Sequence, residues 1–320
     1  MSEHPGPDSD PRALQFLALR PRLLGLAYRM LGTLADAEDV VQDAWERWSA
    51  VPATPVEDPG ALLATITTRL CIDRYRRERT RRDAYPGPWL PEPVPTDRDG
   101  PLEQLESGRL LAFGVLRLLE DLTPLERAVF VLAEAFDYRA REIADVVQRS
   151  EGHCRQLLHR ARLRLRSAGP PRCDDERGPT RTGSDPVRLE ALLDALGRGA
   201  AEEAARLLGE DVSLISDGGG EVPAVRRPVS GRRAVLRLLL GLAGRVDPGS
   251  VQLLPVRLNG APALLIRNGQ RLESALLPAW RDGRLAFLYS QRAPQKLARL
   301  ARRLRIPPPI PPAEAAPRRT

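Results

Sequence analysis

A chain of 320 residues with 42% hydrophobic content can fill two or three compact cores and is too apolar for a disordered polymer. Its formal charge of +7 favours an anionic partner, nucleic acid first. No run nears the roughly 18 apolar residues of a membrane span, and the polar start MSEHPGPDSDPRAL has no signal-peptide core, so a cytoplasmic protein is expected. Cys71, Cys154 and Cys173 are too sparse and odd in number for a disulfide framework, and with His153 and His159 they match no zinc spacing. Free thiols and no metal or other cofactor are expected. Lys296 is the only lysine, so nearly every positive charge is a guanidinium, as a GC-rich coding bias alone would give.

In chain order, residues 13–82 read as helices, with apolar residues at helical spacing in the series Leu19, Leu23, Leu26, Met30 and again in Leu62, Ile66, Leu70. The prolines of YPGPWLPEPVPTDRDG, residues 85–100, remove donors and fix φ, which predicts a linker. Helical periodicity returns over residues 102–166, opened internally by Thr123, Pro124 and Glu126 as cap, first-turn proline and capping-box glutamate. Residues 169–184 are loop-like. A single helix is predicted over 189–208, followed by short strands at 212–215, 251–258, 263–266, 271–277 and 285–289, many separated by turns marked DGGG, NG, NG and DG. The end, IPPPIPPAEAAPRRT, reads as extended.

Three stretches carry chemistry. In DAEDVVQDAWERW the carboxylates of Asp36, Glu38, Asp39, Asp43 and Glu46 share a helix with the apolar Val40, Val41, Ala44, Trp45 and Trp48. Between residues 69 and 82 stand seven arginines, Arg69, Arg74, Arg76, Arg77, Arg79, Arg81 and Arg82, against Asp73 and Glu78. An acidic helix beside a basic one suits two partners, a cationic protein and a nucleic acid; a solvated basic face and an ordinary amphipathic helix are the plainer readings. Residues 139–147, the turn Gln148-Arg149-Ser150 and residues 151–166 form a helix-turn-helix pattern. Ala144 marks the helix crossing and Cys154 a buried position, and Ser150 can cap the second helix. Arg155, Gln156, His159, Arg160, Arg162 and Arg164 then form a face able to enter a major groove, although Gln148 stands where glycine is common and a plain helical hairpin fits the same pattern.

The order acidic helix, basic helix, linker, helix-turn-helix resembles regions two and four of extracytoplasmic-function RNA polymerase sigma factors, most closely in DAEDVVQDAWERW, TRLCIDRYRRERTRR and SEGHCRQLLHRARLRLR. The resemblance implies that Asp36, Glu38, Asp39, Asp43, Trp45 and Glu46 contact the clamp helices of the polymerase's largest subunit. It further implies that the loop 52–60 and the helix 69–82 recognise and help melt the minus-ten element, and that the helix 151–166 reads the minus-thirty-five element. YPGPWLPEP, SDGGGEV and the later APQKL are similar to marks of the sigma-J-like group, which carries a C-terminal SnoaL-like domain of the NTF2 type. Two departures stand out: Ala293-Pro294-Gln295 replaces the group's usual Asn-Pro-Asp, and Glu221 replaces a basic residue. The implied fold is two all-α sigma domains, the second with a helix-turn-helix, followed by an α+β cone. The implied division is region two at 10–84, a linker at 85–101, region four at 102–168, a linker at 169–184, the SnoaL-like domain at 185–300 and a proline-rich tail at 301–320.

A sigma factor gives tasks to both basic helices and to the acidic one. A one-component regulator with a ligand-binding C-terminal domain explains only the helix-turn-helix. An enzyme lacks a base, since no histidine follows residue 184 and Asp217-Gly218-Gly219-Gly220 is more simply a turn demanding positive φ. The C-terminal domain is therefore expected to regulate the sigma module. Trp89, Leu90 and Pro91 of the linker form the expected docking surface, because Pro88-Trp89-Leu90-Pro91 is too apolar for water; Asp217, Gly218, Gly219, Gly220, Pro294 and Lys296 belong to the stretches that carry the resemblance. The ligand of the cone, the promoter sequence and any anti-sigma partner stay open.

Overall fold

The computed structural model describes residues 11–51, 56–96, 112–167, 185–245, 247 and 249–307. Their contacts form two compact units: one holds the described residues up to Arg81 and those of 118–167, the other residues 82–96, 112–117 and those from 185 on. The loop residues 52–55, linker residues 97–101, the second linker 169–184 with Cys173, and tail residues 308–320 lie outside the described residues.

The first unit is helical. Leu23, Leu26, Ala27 and Met30 of α1 (Pro11–Leu31) are buried, as are Ala37, Val40, Val41, Ala44 and Trp48 of α2 (Leu34–Ser49). Thr33 caps α2 by accepting from the Asp36 amide at 3.3 Å. The long α3 (Pro59–Asp83) follows; α4 (Phe113–Leu119) belongs mainly to the second unit, and the first resumes with α5 (Pro124–Phe136). Fully buried Arg127 ties α5 to its neighbours: Nε donates to Arg29 O at 2.9 Å, Nη1 pairs with the Glu120 carboxylate, and the guanidinium lies 4.9 Å from the Tyr75 ring. The expected capping box opens α5, with Glu126 N donating to Thr123 Oγ1 at 3.3 Å and Thr123 N to Glu126 Oε2 at 3.0 Å. Then α6 (Ala140–Val147) and α7 (Glu151–Ser167) pack through Ile143, Val146, Cys154, Leu157 and Ala161. Gln148 makes the turn by adopting the left-handed φ of 52° that glycine more often supplies.

The second unit is α+β. Helices α8 (Asp185–Gly197), α9 (Ala201–Leu207) and α10 (Arg232–Ala243) cover one face of a six-stranded sheet ordered β2-β1-β6-β5-β4-β3. Its strands are β1 (Leu208–Asp217), β2 (Val229–Ser230), β3 (Val251–Leu258), β4 (Ala261–Asn268), β5 (Arg271–Arg281) and β6 (Arg284–Gln291). Only the β1–β6 pair is parallel. Side chains alternate between two cores, as a pleat requires: Leu264, Ile266 and Leu276 join the helix side, while Ala263, Leu265, Ala275 and Leu277 face the other.

Two expectations needed change, and one helix had not been expected. The single helix over 189–208 is two, because Gly199 takes φ 70° and Ala200 N bonds back to Ala195 O at 2.8 Å, closing α8. The second NG does not centre a turn: Asn268 still pairs with Arg271, so Gly269 and Gln270 form the tip. The residues after 293 begin with a helix, α11 (Pro294–Arg303), which Pro294 starts at its first turn and which buries Leu297, Leu300 and Ala301.

Candidate functional site

The acidic face of α2 is partly answered within its own unit. Arg74 of α3 reaches Asp36 at 2.6 Å and Asp39 at 3.0 Å, so this arginine, expected on DNA, braces α2 against α3. Asp43 and Glu46 remain exposed, Glu38 is half-buried, and half-buried Trp45 packs on Phe16 with ring centroids 5.0 Å apart. Along α3, Arg76 and Arg77 are exposed and touch only Asp73 of the next turn, at 3.5 and 3.4 Å. Arg69 instead donates to the Val146 and Asp145 carbonyls at the end of α6, at 3.0 and 3.3 Å. The side chain of Arg81 lies outside the described residues, and Arg82 belongs to the second unit.

On α7, Cys154, Leu157 and Ala161 point inward, which fixes Arg155, Gln156 and His159 outward on the opposite side. Ser150 caps the helix through the His153 amide at 3.3 Å. Arg155 pairs with Glu151 one turn back. The remaining arginines fold onto α5: Arg162 grips Glu134 Oε1 with Nε and Nη2 at 2.9 and 2.6 Å, Arg164 reaches Glu126 at 2.6 Å, and Arg160 lies 3.8 Å from the same carboxylate. Glu126 is only 2% exposed and thus both caps α5 and anchors α7. Its second role had no signal in the sequence beyond the capping box.

The second unit is organised around residues 85–96, which lie on the sheet face opposite α8–α10. The Leu90 amide donates to Asp217 Oδ2 at 2.8 Å, and the Leu90 carbonyl accepts from Lys296 Nζ at 2.6 Å and from Gln291 Nε2 at 3.2 Å. Gln291 also donates to Pro91 O at 3.0 Å, and Lys296 closes the ring on Asp217 at 2.7 Å. Tyr85 OH reaches Asp217 Oδ1 at 2.6 Å; burial first, and then the Asp217 charge, push this phenol well above its usual range. The Trp89 ring is flanked by Lys296 at 4.0 Å and Arg82 at 3.8 Å. Asp217 is 1% exposed and Lys296 7%, so the chain's one lysine sits in a buried ion pair and also meets a carbonyl, the Trp89 indole face and, at 5.1 Å, the Tyr85 ring.

The glycines after Asp217 serve this arrangement. Gly219 N donates to Asp217 Oδ1 at 2.9 Å, and Gly220, at φ 75°, comes so close to the linker that a Cβ there would sit 2.5 Å from Pro86 Cγ. Pro294 starts α11 and so sets the height of Lys296. Further along, Val94 and Asn259 exchange hydrogen bonds of 3.1 and 2.8 Å, and Pro95 bridges Leu258, extending the edge of β3. Leu90 and Phe113 complete a core with Ile215, Leu265, Leu277, Tyr289, Leu297 and Leu300. On this face of the sheet, where a small ligand was left open, Leu90, Phe113, Tyr289 and Leu297 are buried against one another. Among the described residues no group of His, Cys, Asp and Glu could hold a metal ion, Cys71 and Cys154 are buried free thiols, and no helix is long and apolar enough to cross a membrane.

An acid-faced helix, an arginine-rich helix and a helix-turn-helix, with the intervening segment built into an α+β domain of the same chain, define a modular transcription protein. Residues 16–81 match the family model Sigma-70 region 2, and residues 113–165 match Sigma-70, region 4. Among curated relatives, ECF RNA polymerase sigma factor SigJ of Mycobacterium tuberculosis is 38% identical over 261 residues, 80% of this chain and 78% of that one. Probable ECF RNA polymerase sigma factor SigI of the same species is 32% identical over 63% of this chain and 71% of its own. The crystal structure of M. tuberculosis SigJ aligns with a TM-score of 0.70 at 32% identity, covering 89% of this chain and 98% of that one. The chain belongs to the extracytoplasmic-function RNA polymerase sigma factors, in the SigJ-like group with a C-terminal SnoaL-like domain. It is a promoter-specificity factor for transcription initiation, and a one-component regulator is not favoured.

Proposed function

We propose that the SnoaL-like domain of this sigma factor is a regulator acting in cis, without catalytic activity, and that its lever is the linker between the two sigma regions. One observation carries the reading: the Leu90 backbone is held at its amide by Asp217 and at its carbonyl by Gln291 and Lys296. Tethering keeps the domain at millimolar-order effective concentration, so a modest contact stays populated. Catalysis is disfavoured because the buried carboxylate of Asp217 is already occupied by Tyr85, Leu90 and Lys296, and no histidine lies beyond residue 184 to act as base.

In the same reading the exposed Asp43 and Glu46, with Glu38 and Trp45, meet a basic coiled coil of the core polymerase. Arg76, Arg77 and the outward Arg155, Gln156 and His159 meet promoter DNA, and Arg69, Arg74, Arg160 and Arg162 join them only by giving up the bonds described above. The test is in vitro transcription with core polymerase, comparing the full chain with Trp89→Ala and Lys296→Met. A changed rate or promoter affinity is expected in both; rates and affinities equal to those of the unaltered chain would leave the domain a passive appendage.

A further inference from the structure

Residues 222–246 contain six arginines and no acidic residue. Elsewhere in the same unit some arginines pair with carboxylates, Arg198 with Asp194 and Glu203, Arg281 with Asp211, Arg292 with Glu273, while Arg206, Arg271 and Arg284 stand singly along the chain and meet none among the described residues. Here only Arg232 is paired, with Glu210 at 2.7 Å, while Arg226, Arg227, Arg233 and Arg237 are exposed and meet no carboxylate among the described residues. Arg233 and Arg237 stand four residues apart on α10 and so share one face of it. Arg232 and Arg233 also occupy its first turn, where the helix dipole disfavours cations and the helix itself supplies no acid; Glu210 answers only Arg232. With Ser230, Gly231, Arg237 and the single acid Glu210 the two arginines line an open depression of about 580 Å³.

A coding bias towards arginine raises the number of guanidiniums but does not remove acids from 25 consecutive positions. The inner side of α10 is spoken for, with Val235 and Leu239 buried in the core, so the outer side is free to meet a polyanion. The cluster offers guanidiniums and one serine, without exposed aromatic rings or amide side chains; a guanidinium serves phosphates first but can also fork onto a guanine edge, so promoter discrimination is measured alongside affinity. Promoter DNA is the polyanion that the established function brings to this chain.

We propose that Arg226, Arg227, Arg233 and Arg237 form a further DNA-binding surface, taking backbone phosphates of double-stranded promoter DNA without reading its sequence. The surface supplies affinity and salt dependence; selectivity stays with the sigma regions. It rests on promoter DNA as partner and not on the regulatory role of the domain.

The experiment is equilibrium binding of holoenzyme, made from core polymerase and the full chain, to a promoter duplex between 50 and 200 mM salt. Arg227→Ala, Arg233→Ala and Arg237→Ala are combined, Arg226 being left because its backbone lies against linker residue Gly87. Each lost phosphate contact removes about 0.9 from the log–log slope. The triple variant should lose about 2.7, so the advantage of the unaltered chain grows on the order of 40-fold from 200 to 50 mM salt. Discrimination between matched and mutated promoter elements should stay the same, and the triple lysine variant should retain the slope. An unchanged slope overturns the proposal, and so does a lysine variant as weak as the alanine one, since that marks a structural defect and not a lost charge. A passive C-terminal domain would leave transcription indifferent to Lys296→Met while this slope still changed, which separates the two failures.

Discussion

Lys296 and Asp217 hold the two backbone polar groups of one residue: the ammonium takes the Leu90 carbonyl at 2.6 Å, the carboxylate takes the Leu90 amide at 2.8 Å, and the two meet at 2.7 Å. Removing one charge strands the other in a buried site. Lys296→Met should cost about 3–5 kcal/mol in the C-terminal unit, remove one donor to the Leu90 carbonyl and, by loosening the docked segment, speed exchange of the Leu90 amide that Asp217 holds. Lys296→Arg should also fail to restore it, because a planar fork does not fit where a compact ammonium meets a carboxylate, a carbonyl and an indole face together. Thermal unfolding and hydrogen exchange at Leu90 check both; native protection in Lys296→Arg would contradict the steric argument.

Gly220 isolates the contribution of linker docking. Gly220→Ala combines a strained left-handed φ with a Cβ 2.5 Å from Pro86 Cγ, whereas Gly269→Ala has a φ of 58° and nothing within 4 Å of its Cβ. The second variant should lose only the conformational cost of about 1–2 kcal/mol. A larger loss in the first, with linker residues opened to protease, measures the contact; equal losses would mean that Pro86 moves aside freely.

Tyr85 gives the docking a pH signature. Its phenol is held neutral by burial and by Asp217, so its folded pKa lies above the unfolded value of about 10. A raised pKa means that its contribution is complete below about pH 10 and is lost as pH climbs through the folded value. Unfolding of the C-terminal unit should therefore be flat in this respect near neutrality and weaken above pH 10, and Tyr85→Phe should remove that alkaline limb. An identical limb in Tyr85→Phe would assign it to another group.

On the polymerase side, Asp43→Lys is the cleaner reversal, since Asp39 also holds Arg74 at 3.0 Å. Core binding should fall about tenfold or more, because like charges now face each other, with no change in unfolding temperature. A pull-down titration with undiminished affinity would move the contact off this face of α2.

For the minus-thirty-five element, Arg155→Ala should relax discrimination by about 1–3 kcal/mol at one position. Glu126→Gln should instead weaken all sequences and lower the unfolding temperature, since it loosens Arg164 and with it the axis of α7. Promoter libraries read by transcription distinguish the two; a base-specific effect of Glu126→Gln would show that α7 does not depend on this anchor.

Local chemistry made much of this legible in the sequence. Thr123, Pro124 and Glu126 fix a helix start wherever they occur, and Asn259-Gly260 and Asp282-Gly283 take the positive φ values that tight hairpins demand. Those two turns set the β3–β4 and β5–β6 hairpins, whereas the parallel β1–β6 pairing follows from no turn. What escaped is set by contacts distant in sequence: Arg74 looks like any arginine of its helix until α2 packs beside it, and Arg160 and Arg162 look outward until α5 supplies Glu126 and Glu134. The break at Gly199 was hidden because Leu189, Leu192 and Leu196 run on smoothly towards Leu207, and α11 because its helix starts on a proline and follows a strand directly. Trp89 and Leu90 were visible only as residues too apolar for water; their partners, Asp217 and Lys296, lie on other elements and could be joined to them only by resemblance.

The second core takes Leu90 and Phe113 from one part of the chain and Leu297, Leu300 and Ala301 from another. A ribosome makes these pieces in order. At about 5–20 residues per second, on the order of 10 s separates the completion of α7 from the appearance of Lys296. For that interval a nascent chain has both sigma regions outside the exit tunnel while Leu90 and Phe113 wait, exposed and unmatched. Every molecule therefore passes through an unclamped infancy, and the speed of translation over the last third of the message sets how long it lasts.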